Sequence, residues 1–518
     1  MPKEAAIRSH SLSLTLRRAA LRHAERPAIV CGDVVWSYAQ FDELVDRLAR
    51  GLLVAGFGAG DRIALLSRNS HAFVAVRYAV ARIAAVFVPI NFMLTSEDVA
   101  YILDNSGASA LFVDASSIEI ARGAVPPSLP MFALPGEDAD MPRGEDLEPW
   151  TTLISDTPLN EDLADAADLL QIIYTSGTES RSKGAMLTHA AVLAEYQSCI
   201  TDCEWDAQTV ALHSLPLFHC AQLDAMIGPA LQVGAKNIIT ARPTPENLIP
   251  MLARFGVTSF FAPPTVWISL LRSPLFDAHD LSGLSKGYYG ASIMPVEILQ
   301  EINARLPGLR LWNLYGQTEI APVATILFPH EHAERCGSAG RATLNVQTRV
   351  VDEAMCDVAP GEIGEIVHRS PQLLTAYWRN PEATAAAFAG GWFHSGDLAM
   401  IDQAGFITVV DRKKDMIKTG GENVSSREVE EHLYTHAGVA EVAVIGVPHP
   451  HWIEAVVAVV VPKSGASLDQ DDLVRHCVGA LAGFKVPKKI VVANDLPRNA
   501  SGKILKRDLR ISLSDAFS

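Results

Sequence analysis

Apolar and polar positions follow two rhythms along the chain, and the rhythms take turns. "YAQFDELVDRLARGLLVAGF" sets apolar residues three and four apart and stops at glycine, the spacing of one buried helix face. "DRIALLS" after it is an apolar run of strand length, and "HAFVAVRYAVARIA" returns to helix. "DLLQIIYTSGT" reads as a strand feeding a loop, and "AMLTHAAVLAEYQSCI" as the helix after that loop. Such alternation puts largely parallel strands between helical layers. The expected fold class is α/β, with a large multi-layer N-terminal domain of mainly parallel sheets and a small α+β C-terminal domain.

The character changes near residue 410. "FITVVDRKKDMIKTGGENVSS" packs a strand, a charged cluster and a glycine pair into a short span. A helix, "SREVEEHLYTH", and two strands, "VAEVAVIGVPH" and "EAVVAVVVPK", follow it. A further helix from about Gln470 and a basic tail complete a unit of about 100 residues, ordinary for a small domain. The expected division is 1–410, a hinge at 411–415, and 416–518.

A chain of 518 residues allows two or three domains, and 49% hydrophobic with 20% charged residues is a globular balance. The net charge of −16 argues against broad nucleic-acid binding. No charge-free apolar stretch approaches the roughly 18 residues of a membrane span. "YAVARIAAVFVPI" is interrupted by Arg82 and reads as a buried helix running into a strand. The arginine-bearing N-terminus reads as an amphipathic surface helix rather than a transit peptide. Seven cysteines without a C-x-x-C pair read as free thiols in a reducing compartment, so a cytoplasmic protein is expected.

"YTSGTESRSKG" has small hydroxyl and glycine residues before a lysine, which suits phosphate oxygens. It is not a Walker loop, because Ser182 precedes Lys183 and Gly184 follows it. The loop gains meaning from motifs that follow in order: "LPLFH", "YGAS", "NLYGQTE", "GEIGEIVHRSPQLLTAYWRNPEAT", "GWFHSGDLA", "VVDRKKDMIKTGGENVSSREVE" and "LPRNASGKILKRDLR". The ordered set, from about Trp36 to Arg510, resembles the adenylate-forming superfamily of acyl-CoA synthetases, luciferases and peptide-synthetase adenylation domains.

That resemblance implies an AMP-forming acyl-CoA ligase, an acid–thiol ligase that turns a carboxylate into acyl-AMP with ATP and Mg²⁺ and then passes it to CoA. It implies that Tyr315 stacks on adenine and Thr318 binds the α-phosphate. Glu319 would hold the metal, and Asp397 the ribose with help from Arg412. Thr175, Ser176, Gly177, Thr178, Lys183, Gly290, Ala291, Ser292, Gly316 and Gln317 would complete the nucleotide site. Lys503 corresponds to the catalytic lysine, Lys414 to the pivot of a mobile C-terminal domain, and Gly420, Gly421 and Glu422 to the CoA tunnel. His219 would gate the acyl pocket, lined from around His219–Leu223, Phe260–Thr265, Tyr288–Ser292 and Ile320–Thr325. These stretches are mostly apolar and offer no partner for an ammonium group, so an apolar acid, fatty, aromatic or polycyclic, is expected.

One departure keeps alternatives open. The family's loop continues with threonine or serine, glycine, any residue, proline and lysine, where this chain has Glu179, Ser180 and Ser182. A carboxylate about 4 Å from a phosphate charge costs up to about 4 kcal/mol at an effective dielectric of about 20. ATP use could thus be impaired, with the enzyme mainly converting acyl-AMP supplied by an upstream adenylating enzyme. A freestanding enzyme loading a carrier protein and a non-catalytic binder of acyl-AMP or acyl-CoA also stay open, as does a homodimer.

Overall fold

The computed structural model describes residues 9–175, 181–290, 292, 294–463, 465–498 and 504–517. They form two compact units. One takes in the chain up to Thr175, Lys183–Thr348 and His368–Phe393; the other takes in Arg349–Val367 and the chain from His394.

The first unit holds two large sheets. Among the described residues, one runs in the order Arg341–Ala342, Val323–Leu327, Arg310–Gly316, Lys286–Gly290, Ser259–Phe261, Val210–His213, Lys236–Ile239, Pro27–Cys31 and Val34–Ser37. Its inner pairings are parallel and its edges antiparallel. The other runs Ala376–Tyr377, Lys183–Thr188, Leu169–Thr175, Val86–Ile90, Arg62–Leu66, Ala110–Val113, Met131–Ala133 and Glu148–Pro149, again parallel in its middle.

The helices follow from the apolar spacing. Tyr38–Val54 buries Phe41, Val45, Leu48, Ala49 and Leu52 along one stripe. A capping box starts it: the Ser37 hydroxyl accepts from Gln40 N–H, and the Gln40 side chain accepts from Ser37 N–H. His71–Arg82 is buried on every side and runs on to the fully buried strand Val86–Ile90. Arg82 stays in that interior because Asp42 and Asp46 neutralise it, at 2.5 and 2.6 Å. Among the described residues no helix is long and apolar enough to cross a membrane.

One expected helix begins later than the apolar rhythm suggests. Lys183–Thr188 is a strand, paired antiparallel with Leu169–Thr175, so "KGAMLT" closes a hairpin. The helix is His189–Asp202, and the Thr188 side chain caps it by accepting from Ala191 N–H. The apolar run "AML" is continuous with the helix in composition, and pairing with the neighbouring strand overrides that rhythm.

The second unit is built on an antiparallel sheet. Glu422–Val424, Ile417–Thr419, Ile453–Pro462 and Val439–His449 lie side by side, with Lys489–Val492 joined in parallel to Ile453–Pro462. Helices Ser426–Tyr434, Gln470–Cys477 and Lys506–Ser512 accompany it. The antiparallel strands Phe393–Ile401 and Ile407–Arg412 lead into it.

Candidate active site

Strand Arg310–Gly316 delivers "YGQTE" to a tight turn. A Cβ on Gly316 would stand 1.9 Å from the Pro322 carbonyl oxygen, so no other residue fits that crossing. Ala321 has φ +69°, in the left-handed region, which costs about 1–2 kcal/mol for an alanine. The surroundings hold the turn at many points. Gln317 N–H donates to Pro322 O at 2.9 Å and Leu374 N–H to Glu319 O at 2.8 Å. Val323 N–H donates to Glu195 Oε1 at 3.1 Å. Gln372 Nε2 reaches Ile320 O at 3.3 Å and Val323 O at 3.1 Å.

The turn sets Thr318 and Glu319 in distinct surroundings. Thr318 is buried, and its Oγ1 accepts from the Cys220 thiol at 3.3 Å. Glu319 Oε1 accepts from the Tyr377 hydroxyl at 2.9 Å. Burial first, and the Glu319 charge second, push the Tyr377 phenol well above its ordinary pKa, so it remains a donor. Tyr315 is half-buried against the cluster of Ile320, Ala324 and Val346, as is Leu373.

His219 immediately precedes Cys220, so the acyl-gate candidate adjoins the Thr318 turn. The His219 ring caps the helical segment that follows, its Nδ1 accepting from Ala221 N–H at 3.3 Å. The ring is accessible to solvent yet ringed by protein, and this desolvation lowers its pKa. Beyond it the chain makes a π turn over Leu223–Ile227, which carries the buried Asp224 paired with Arg77.

Lys183 opens the second strand of the hairpin, opposite Thr175. Its Nζ lies 5.3 Å from the centroid of the Tyr377 ring, a cation–π distance. Ser176, Gly177, Thr178, Glu179 and Ser180 lie outside the described residues, as do Ala291 and Lys503. Gly290 ends strand Lys286–Gly290, and Ser292 is exposed just beyond it.

The expected acyl lining divides between two faces of one sheet. Phe260 and Tyr289 pack with Trp267 and the helices of one side. Phe261 and Tyr288 point the other way, among Ala225, Met226, Trp312, Leu314 and Val323. Only this second face shares a cluster with the strand that leaves the Thr318 turn. Strand alternation forces the split, because successive side chains leave opposite faces. Tyr288 is fixed between Trp205 and Trp312, its hydroxyl donating to Cys203 O at 2.7 Å.

In the second unit Asp397 faces Arg412 across paired strands, with Nε–Oδ1 at 3.4 Å. Glu365 steadies this pair's surroundings. It accepts from Lys413 Nζ at 2.9 Å, His394 Nδ1 at 3.1 Å and Gly396 N–H at 3.2 Å. Burial would raise the Glu365 pKa, but Lys413 and His394 outweigh it and the net shift is downward. Lys414 is exposed in the turn after Arg412. Gly420 and Gly421, with φ +60° and +91°, form the two-residue turn between Thr419 and Glu422, a conformation that itself calls for glycine.

Several residues of this arrangement carried no sequence-level assignment. Tyr377 sits inside a quoted motif, and only its contacts reveal its use. Glu195 is a fully buried carboxylate in an apolar helix, and that misfit was visible in "AVLAEYQSCI". Burial raises its pKa well above the ordinary range.

Comparison with known proteins fits this geometry. The AMP-binding enzyme profile matches residues 16–378, and the AMP-binding enzyme C-terminal domain matches 428–503. The chain belongs to the AMP-binding enzyme family. Feruloyl-CoA synthase of Amycolatopsis sp is 37% identical over 499 residues, covering 96% of this chain and 98% of its own. Indoleacetate–CoA ligase of Aromatoleum aromaticum is 34% identical over 484 residues, covering 92% of each. The crystal structure of ATP-bound MatB from Rhodopseudomonas palustris superposes with TM-score 0.88 at 29% identity, over 98% of this chain and 100% of that one. This AMP-binding enzyme is thus of the AMP-forming acyl-CoA ligase type.

An AMP-binding enzyme must present donors to a nucleotide. Gln317 Nε2, beside Thr318, is buried and has no acceptor among the described residues, as a donor reserved for a ligand would be. Magnesium shared with phosphates needs only one or two protein carboxylates. Glu319, beside Thr318, is a carboxylate that could serve as one, and among the described residues no cluster of three or more His, Cys, Asp or Glu could hold a metal unaided.

Proposed function

We propose that this AMP-binding enzyme is a complete ATP-dependent ligase that joins an apolar carboxylic acid to CoA through acyl-AMP. The observation that carries the reading is the contact between Cys220 and Thr318, 3.3 Å apart. It brings the acyl-gate segment, with His219, against the turn that would bind the α-phosphate, where carboxylate and phosphorus must meet.

In the first step a carboxylate oxygen attacks the α-phosphorus and the bond to pyrophosphate breaks. Negative charge builds on the phosphoryl oxygens, so fixed donors and cations should dominate catalysis. Thr318 donates to the α-phosphate and Gln317 adds a second donor. Tyr315 stacks on adenine, and Gly290, Ala291, Ser292 and Gly316 are assigned to the same nucleotide site. Thr175, Ser176, Gly177, Thr178 and Lys183 are assigned to binding the departing pyrophosphate. Glu319 would hold Mg²⁺, which when bound would supply positive charge against the polyphosphate. Lys503 bridges carboxylate and α-phosphate, while Asp397, steadied by Arg412, accepts from the ribose hydroxyls.

In the second step a CoA thiolate attacks the acyl carbon and AMP departs. Residues 416–518 act as a lid that pivots on Lys414 within 411–415. The pivot withdraws Lys503 and brings Gly420, Gly421 and Glu422 to the pantetheine. The names of the two relatives, feruloyl-CoA synthase and indoleacetate–CoA ligase, put aryl acids first among the candidates. Free cysteines fit a cytoplasmic setting.

The test is the product mass spectrum from a panel of aryl and fatty acids with ATP, Mg²⁺ and CoA. An acyl-CoA mass with AMP and pyrophosphate is expected. Thioester formed only from synthetic acyl-AMP would instead favour the ATP-impaired reading that Glu179 motivates.

A further inference from the structure

Helix His189–Asp202 carries the fully buried carboxylate of Glu195, and among the described residues no salt bridge joins it to a cation. Its neighbours are donors instead: Val323 N–H at 3.1 Å, the Cys199 thiol at 3.1 Å, and Gln372 Nε2. Gln372 Nε2 also reaches the carbonyls of Ile320 and Val323. The Ser198 hydroxyl donates to Gln372 Oε1 at 2.7 Å, which turns the amide so that its NH₂ faces Glu195.

Burying a carboxylate is costly, and an aliphatic residue would suit the interior of this helix better. What the carboxylate gains is a grip on the turn between Gln317 and Val323. It holds Val323 N–H directly and the carbonyls of Ile320 and Val323 through Gln372. The helix itself begins immediately after the strand that Lys183 opens. Glu195 therefore stands between the element bearing Lys183 and the turn bearing Thr318 and Glu319.

We infer that Glu195 is a positioning residue for adenylation, which together with Gln372 fixes Thr318 and Glu319 relative to Lys183. The inference rests on the ligase reading above. Effects should fall on the step in which the pyrophosphate and α-phosphate groups must be aligned together, because misplacement by a fraction of an ångström lowers the rate of such a step.

Two variants of the full chain test it. In Glu195→Gln, whichever way the new amide turns, a donor faces Val323 N–H or Gln372 Nε2. Ser198→Ala frees the Gln372 amide and changes the core volume little. ATP–pyrophosphate exchange, conversion of synthetic acyl-AMP and CoA to thioester, and thermal melting are measured on each. For Glu195→Gln the exchange kcat should fall about ten- to a hundredfold, while KM for the acid stays within about twofold. Thioester formation should fall less than about threefold. For Ser198→Ala the same half-reaction should fall about three- to tenfold.

The inference is overturned if exchange in both variants stays within about twofold of the parent. It is equally overturned if both half-reactions fall by one factor together with the melting temperature, which is plain destabilisation. Should Glu195→Gln not fold, Ser198→Ala decides by the same criteria. An absence of exchange by the parent with every acid is a separate outcome: it removes the ATP step itself, and the positioning role with it.

Discussion

The Tyr377 hydroxyl donates to Glu319 Oε1 at 2.9 Å while the Lys183 ammonium lies 5.3 Å from the centroid of the same ring. One aromatic side chain thus links the proposed magnesium carboxylate to the lysine that opens strand Lys183–Thr188. Tyr377→Phe keeps the ring beneath the cation and deletes only the hydrogen bond. Adenylation kcat should fall about tenfold, with the magnesium concentration for half-maximal rate raised and KM for CoA unchanged. Steady-state kinetics with magnesium titration checks this, and an unchanged magnesium response would contradict it.

The buried pair Arg77 and Asp224 makes a different demand. Gln171 Nε2 donates to Asp224 Oδ2 at 2.8 Å, and Arg77 reaches the Tyr196 hydroxyl at 3.2 Å. Asp224→Asn leaves Arg77 charged and enclosed, so unfolding free energy should drop by about 3–5 kcal/mol. Arg77→Met with Asp224→Leu removes both charges and should cost less than the single change. Urea unfolding of both variants decides the order.

Acid should destabilise the fold through its buried histidines. An ordinary imidazole takes its proton near pH 6.5, whereas burial lowers the value to about 4 for His71, His213 and His368. Between those values the unfolded chain holds protons that the folded chain refuses, so stability is full above pH 6.5 and is lost as pH falls towards 4. Each group contributes a slope of up to about 1.4 kcal/mol per pH unit. Denaturation midpoints at pH 7, 6 and 5 should decline steadily, and His213→Gln should flatten the decline.

Much of this architecture was legible in the chain. The helix Tyr38–Val54 and the strand Val86–Ile90 follow from apolar spacing alone, because one stripe or a whole segment is buried. The hairpin Leu169–Thr188 was not, since "KGAMLT" is apolar for the sake of a paired strand rather than a helix face. The acyl lining was legible as a set of stretches but not as a face, because period-two alternation sends Phe260 and Phe261 to opposite clusters. Glu195 and Tyr377 act through partners 128 and 58 residues away in sequence, and no local pattern encodes such contacts.

The most direct measurement of the central claim is isotopic ATP–pyrophosphate exchange by the purified chain across a panel of apolar acids. It should be run beside thioester formation from synthetic acyl-AMP and CoA. The account predicts acid-dependent exchange that falls several decades in Lys503→Ala, while thioester formation in that variant falls far less. Thioester formation by the parent without exchange for any acid would contradict it.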